Sequence, residues 1–253
     1  MILGALGLLA AAFWLGAGPG DRNDHLLISE AVATPLETGG ALALMRIENR
    51  GKPDRLIAAA SSVVEAALYT PEAAEGPPVP TGESFLAQDG AHIRLSAPRE
   101  TFVDGALIPL TLTFAEAGEV AAKVRLADPA VQGKAQEVGL FGLGDICVVG
   151  DGEPAPKIAL SVSPDGAGWR VRIEAEDFAF SKDFVDLYHV PGMGHGHIYV
   201  GGMKIGRLYA PEAYIGALPE GQHEIRVTLN TNDHRAYVVD GAPASASTTI
   251  TIE

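Results

Sequence analysis

The chain has 253 residues, enough for one large domain or two of ordinary size. With 32 Asp+Glu against 18 Lys+Arg its formal net charge is −14, so nucleic acid and anionic membrane surfaces would repel it. Hydrophobic residues make up 47%, which excludes disorder, and a single cysteine, Cys147, excludes a disulfide framework and any multi-cysteine metal site.

Met1 to Gly18 carries no charged residue. Its length lies between a signal-peptide core and a minimal membrane span, so residues 1–20 are read as an export signal or a membrane anchor. No Lys or Arg precedes the apolar core and no Ala-x-Ala follows it, although Gly16-Ala17-Gly18 supplies small residues. No cysteine lies nearby to take a lipid.

From Leu26 to Leu126 short apolar stretches alternate with turns such as Asn49-Arg50-Gly51, Gln88-Asp89-Gly90 and Val103-Asp104-Gly105. Leu110-Thr111-Leu112-Thr113-Phe114 has the period of a half-buried strand. Residues 128–156 are rich in Gly and Pro and read as a linker with an apolar middle, Val138 to Val149, that docks on a neighbouring domain. Strands resume at Lys157, among them Phe184–Val190, His197–Val200 and Glu224–Leu229; about seven in roughly a hundred residues is the pattern of an immunoglobulin-like sandwich. The expected organisation is all-β: a first β domain over 21–127, the linker, and a β-sandwich over 157–253.

Three stretches of the first half carry a family resemblance: Met45-Arg46-Ile47-Glu48-Asn49-Arg50-Gly51 with Asp54-Arg55-Leu56, then Gly90-Ala91-His92-Ile93-Arg94-Leu95, then Ile108 to Val120. Together they resemble the periplasmic copper chaperones called PCu(A)C, which implies a cupredoxin-like barrel or sandwich over about Leu26 to Leu126. The resemblance also implies a Cu(I) site of a His, a Met and a later His-x-Met pair. At those positions this chain has Tyr69 for the first His, no Met between Met45 and Met193, and His92-Ile93-Arg94 for the pair. A phenol and a guanidinium do not hold Cu(I), so the site of the first half is read as lost.

Five of the seven histidines fall between His189 and His234. In Met193-Gly194-His195-Gly196-His197, an extended backbone points Met193, His195 and His197 to one side. His234, in Asn230-Thr231-Asn232-Asp233-His234, is a fourth candidate, with Asp233 a candidate partner for an imidazole's second nitrogen. Met203 is a further candidate, read as exposed in a hairpin turn. His189 divides between packing and ligation, His223 reads as a solvated surface histidine, and Cys147 as buried. Thioether and imidazole donors together suit copper, with Cu(I) favoured over Cu(II). Binding is expected to weaken as pH falls towards 5, because imidazole must be neutral to ligate.

The expected function is an exported, periplasmic copper-binding protein, free or anchored by its N-terminal segment. It would deliver copper to a membrane oxidase or another copper protein, or act in copper tolerance. No enzyme motif is present: there is no nucleophile elbow, no Gly-rich phosphate loop and no His-Glu-x-x-His helix. The competing readings are a non-metal scaffold of the cell envelope, and a metal-dependent hydrolase or oxidase with Asp233 as its base.

Overall fold

The computed structural model describes residues 24–72, 75–127 and 146–253. The proposed export segment, and the linker up to residue 145, lie outside the described residues. Among the described residues there is no α-helix, only a 3-10 turn at Arg99–Thr101 and twenty strands. No helix among them is long and apolar enough to cross a membrane.

The first half comprises β1 (Leu26–Pro35), β2 (Ala41–Asn49), β3 (Asp54–Ala60), β4 (Glu65–Tyr69), β5 (Pro78–Val79), β6 (Gly82–Leu86), β7 (His92–Ser96), β8 (Leu107–Phe114) and β9 (Gly118–Leu126). Pairing runs β4–β7–β2–β1–β9–β8–β3, and the other end of β2 pairs with β6. The alternation along β8 works as the sequence predicts: Ile108, Leu110, Leu112 and Phe114 are buried, and the residues between them are more exposed. They join Leu56, Val124 and Ile93 in one core.

The rest comprises β10 (Ile146–Val148), β11 (Lys157–Asp165), β12 (Gly168–Glu176), β13 (Ala179–Phe180), β14 (Met193–Val200), β15 (Met203–Leu208), β16 (Glu212–Ile215), β17 (Gly221–Thr231), β18 (Ala236–Val239), β19 (Ala242–Pro243) and β20 (Ser245–Ile252). One sheet is β11–β12–β16; the facing sheet is built around β15–β14–β17–β20. Between them Val171, Ile173, Ile198, Val200, Ile225 and Val227 form a second core. The apolar end of the stretch read as a linker contributes β10, which pairs in parallel with β18 and buries Cys147 beside Tyr237.

The two halves dock closely. Lys204 of β15 pairs with Phe85 of β6, the Ala91 N–H donates to the Gly202 carbonyl (2.7 Å), and the Thr81 N–H donates to the Ala217 carbonyl (3.0 Å). Met203 is fully buried in the core of the first half, so it is neither exposed nor in a turn. The turn is Gly201-Gly202, both with positive φ, and it delivers Met203 into the neighbouring half as an apolar plug.

Candidate metal centre

β14 lies between β15 and β17, hydrogen-bonded to both. His195 and His197 therefore lie on an interior strand. Parity does place them together: Ile198 and Val200 point into the sandwich core, and the histidines point the other way, towards the first half. Gly196 faces the core, where an added Cβ would sit 3.2 Å from the Leu208 Cβ. The glycines of the motif therefore serve strand packing.

His195, His197 and His234 bring one ring nitrogen each to a common point, all within 4.8 Å of one another. They are 0%, 2% and 8% exposed, so water does not solvate the cluster. His195 Nε2 lies 3.0 Å from His197 Nε2 and 3.2 Å from His234 Nδ1. His234 arrives from the turn linking β17 and β18 and takes a left-handed backbone conformation (φ 68°). The turn is tied by the Thr231 N–H donating to the Arg235 carbonyl at 2.8 Å.

The far nitrogens define the tautomers. His197 Nδ1 faces Asp89 Oδ2 at 2.9 Å, and His234 Nε2 is hydrogen-bonded to Asp186 Oδ1. A carboxylate only accepts, so those two ring nitrogens carry the protons, and His197 Nε2 and His234 Nδ1 are lone pairs. Both lone pairs point at His195 Nε2. One proton on that nitrogen satisfies one of them, while His195 Nδ1 is buried with no hydrogen-bond partner. A cation at the meeting point takes up the lone pairs that a single proton leaves opposed. Donor spacings of 3.0 and 3.2 Å suit two imidazoles sharing an ion at about 2.0–2.1 Å from each. Carboxylates behind ligating imidazoles are the usual support of such sites.

Charged neighbours complete the site. Asp89 Oδ2 also accepts from Lys204 Nζ and from the Tyr199 hydroxyl, both at 2.8 Å. Burial works to raise the Asp89 carboxyl, but Lys204 and His197 outweigh it and hold the group well below the usual carboxylate range. Burial lowers all three imidazoles: His197 is held down to about 4, with Lys204 adding to the effect against Asp89. His195 is lowered strongly by burial and then by the other two rings, and His234 by burial and then by Arg207.

The sign of the resulting pH dependence is fixed. An unfolded histidine titrates near 6.5, so between about 6.5 and 4 the unfolded chain binds the proton that His197 refuses. The ion-free protein should therefore lose stability as pH falls through that window, by about 3 kcal/mol from His197 alone. Denaturant titrations at pH 7.0 and 4.5 measure this; equal stability at both would contradict it. The same shifts displace proton competition with a bound ion downwards, so loss of binding is expected at lower pH than for three ordinary imidazoles.

The remaining candidates are placed as follows. Met193 opens β14 on the parity of His195 and His197, partly buried, with its carbonyl accepting from the Tyr237 hydroxyl at 3.0 Å. Asp233 pairs with Arg235 (3.0 Å) and so is not the carboxylate that orients an imidazole. His223 is 1% exposed with its Nε2 2.7 Å from the Pro219 carbonyl, which corrects its reading as a surface residue. His189 is half-buried, 3.8 Å from Cys147 Sγ, and burial raises that thiol.

In the first half the family's ligand positions meet one another, but as a stack. Tyr69 and His92 pair across β4 and β7 with ring centroids 4.6 Å apart. The Arg94 guanidinium lies 4.3 Å above the Tyr69 ring and directs Nε to His92 Nε2 at 3.5 Å. His92 Nδ1 is 3.0 Å from the Gly90 carbonyl. The Arg94 guanidinium thus closes the stack over Tyr69 and His92.

Residues 26–126 match the family described as "Putative lipoprotein LpqE-like". Similar solved structures include the copper-bound PCuAC domain from PmoF2, at 24% identity over 42% of this chain and 94% of that one, with a TM-score of 0.37. The apo PCuAC domain from PmoF1 is similar at 24% identity over 42% and 95%, also with a TM-score of 0.37. The fibronectin(III)-like modules of CbhA from Clostridium thermocellum align at 14% identity over 88% and 92%, with a TM-score of 0.24. No curated protein matches the chain.

Within the LpqE-like stretch, sequence reasoning missed the residue that reaches the histidines. Asp89 reads as an ordinary turn residue in Gln88-Asp89-Gly90, and nothing local to it signals a role. Asp186 was hidden by the expectation of a strand over Phe184–Val190. That segment is instead a series of turns, with the Val185 N–H donating to the Lys182 carbonyl, the Leu187 N–H to the Phe184 carbonyl, and Asp186 at φ 66°. The left-handed residue breaks the extended course and turns its carboxylate onto His234. Pro191 was a signal that a strand ending at Val190 would be cut short.

Proposed function

We propose that this chain is an exported copper-binding protein that carries or buffers copper, holding it at His195, His197 and His234 with Met193 as the thioether on the same face. The observation that supports this most is the confrontation of lone pairs at a buried point, which a cation relieves and a proton relieves only in part. The resemblance of the first half to copper chaperones supports copper as the metal; the stack of Tyr69, His92 and Arg94 supports the second half as its seat. In this reading residues 1–20 export or anchor the protein, 21–127 and 157–253 are its two domains joined by 128–156, and its partner is a copper-receiving oxidase or another copper protein.

Three imidazoles backed by carboxylates also suit Zn(II), so the test compares both metals. The full chain is dialysed with excess Cu(I) under anaerobic reducing conditions, with Cu(II) and with Zn(II), then against buffer, and metal per chain is measured. One retained copper per chain is expected. Retention of zinc alone overturns the choice of metal, and retention of neither favours the reading as a non-metal envelope module.

A further inference from the structure

The three imidazoles belong to the second half, but the group that orients one of them belongs to the first. Asp89 stands between β6 and β7, and its Oδ2 takes His197 Nδ1, Lys204 Nζ and the Tyr199 hydroxyl at 2.8–2.9 Å. Lys204 is 0% exposed and Tyr199 2%, so this junction is dry. The turn that carries Asp89 is placed by the docking itself. The Ala91 N–H binds the Gly202 carbonyl, and at Gly90 a Cβ would lie 2.6 Å from that same oxygen.

We propose that Asp89 is a positioning residue for the metal at the triad, and that the ion is held only while the two halves are docked. Release then requires the interface between them to part. This inference rests on the reading of the triad as a copper site.

Two effects act in the same direction. Docked, Asp89 keeps the His197 proton on Nδ1 and its Nε2 lone pair on the ion, and its charge neutralises Lys204. Parted, the imidazole loses the hydrogen bond that sets its tautomer and plane. Lys204 Nζ, 3.3 Å from His197 Nδ1, then lies beside the ligating ring without the Asp89 carboxylate between them. The near-complete burial of the three rings means that an ion leaves only with a movement of the residues around them. The first half, its own ligand positions filled by the Tyr69–His92–Arg94 stack, becomes the closing half of the second half's site.

The interface offers handles away from the triad. At Gly216 an added Cβ would lie 1.8 Å from the Thr81 carbonyl oxygen of the other half, so an alanine there wedges the two apart. Glu72 and Arg226 form a second cross-interface pair at 2.8 Å.

The test uses the full chain loaded with Cu(II) alone. Copper affinity, the rate of release to excess EDTA, and the Cu(II) electron paramagnetic resonance spectrum are measured for the parent, Asp89→Asn, Asp89→Glu, Gly216→Ala and Glu72→Ala, with circular dichroism as the check of folding. Asp89→Asn should weaken binding by about 10- to 100-fold, the usual loss on removing a carboxylate behind a ligating histidine, and should alter the spectrum. Asp89→Glu should recover part of the affinity. Gly216→Ala and Glu72→Ala should release copper faster while their spectra stay those of the parent. Glu72→Ala carries the interface arm if Gly216→Ala does not fold. Folded Asp89→Asn and interface variants that bind and release copper like the parent overturn this inference and leave the triad reading standing. A parent that takes up neither Cu(II) here nor Cu(I) in the dialysis overturns both.

Discussion

Replacing both His195 and His197 by alanine is expected to abolish copper binding and to leave a folded protein. Two of the four proposed donors go, and with them roughly half of a binding free energy on the order of 10 kcal/mol. That is a loss of more than about a thousandfold. The remaining pair, Met193 and His234, is too sparse to retain the ion through dialysis. The fold should tolerate the change because neither imidazole is part of a hydrophobic core. Asp89 keeps Lys204 and Tyr199 as partners, and the ring nitrogen of His195 that lacks one is removed. The cost is the cavity left on a buried strand face, about 1–3 kcal/mol per ring. Copper titration with circular dichroism reads both. If the double variant retains one copper per chain, the ion sits elsewhere, and buried Cys147 with half-buried His189, 3.8 Å apart, is the next place to look.

The largest effect on stability is expected one residue away. In Gly194→Ala the new Cβ would lie 1.9 Å from the Asn230 carbonyl oxygen and 2.9 Å from its carbon. The obstacle is the backbone of β17, which cannot rotate aside as a side-chain end can. The strand pair β14–β17 must separate locally, and it carries His195 opposite Asn230 with the His234 turn just beyond. A loss of at least about 3 kcal/mol is expected. For a chain of this size that lowers the thermal midpoint by roughly 6–12 °C. Gly166→Ala makes the control: its site is a turn with φ 60° and open space around it, so only the backbone preference is lost, about 1 kcal/mol. Melting curves that place the two variants together would show that β14 and β17 have more room than the structure gives them.

Much of the architecture is legible in the chain. The alternation from Leu107 to Phe114 becomes a strand with alternating burial, and the i, i+2 spacing of His195 and His197 becomes a shared face. The Tyr69 and Arg94 departures become a stack with His92. In each case the periodicity of one backbone segment, or the chemistry of one side chain, carries the information. Local pattern misled where a long-range surface was decisive. Met203 follows two turn glycines and reads as exposed, yet it fills the other half's core. His223 precedes a charged residue and reads as solvated, yet the Pro219 carbonyl meets it in a buried place.

By itself the sequence determined an all-β chain and a pair of imidazole donors on one strand face. Those features are set by residues within a few positions of one another, through the two-residue period of the strand and the donor chemistry of the side chains. The tertiary structure alone decided that the site is buried, that Asp186 reaches His234 across 48 positions, and that Asp89 reaches Lys204 across 115. No periodicity spans such separations. The Asp89 contact closes because a buried carboxylate, ammonium and imidazole stabilise one another where the two halves dock, and that docking is a property of complementary surfaces rather than of any segment.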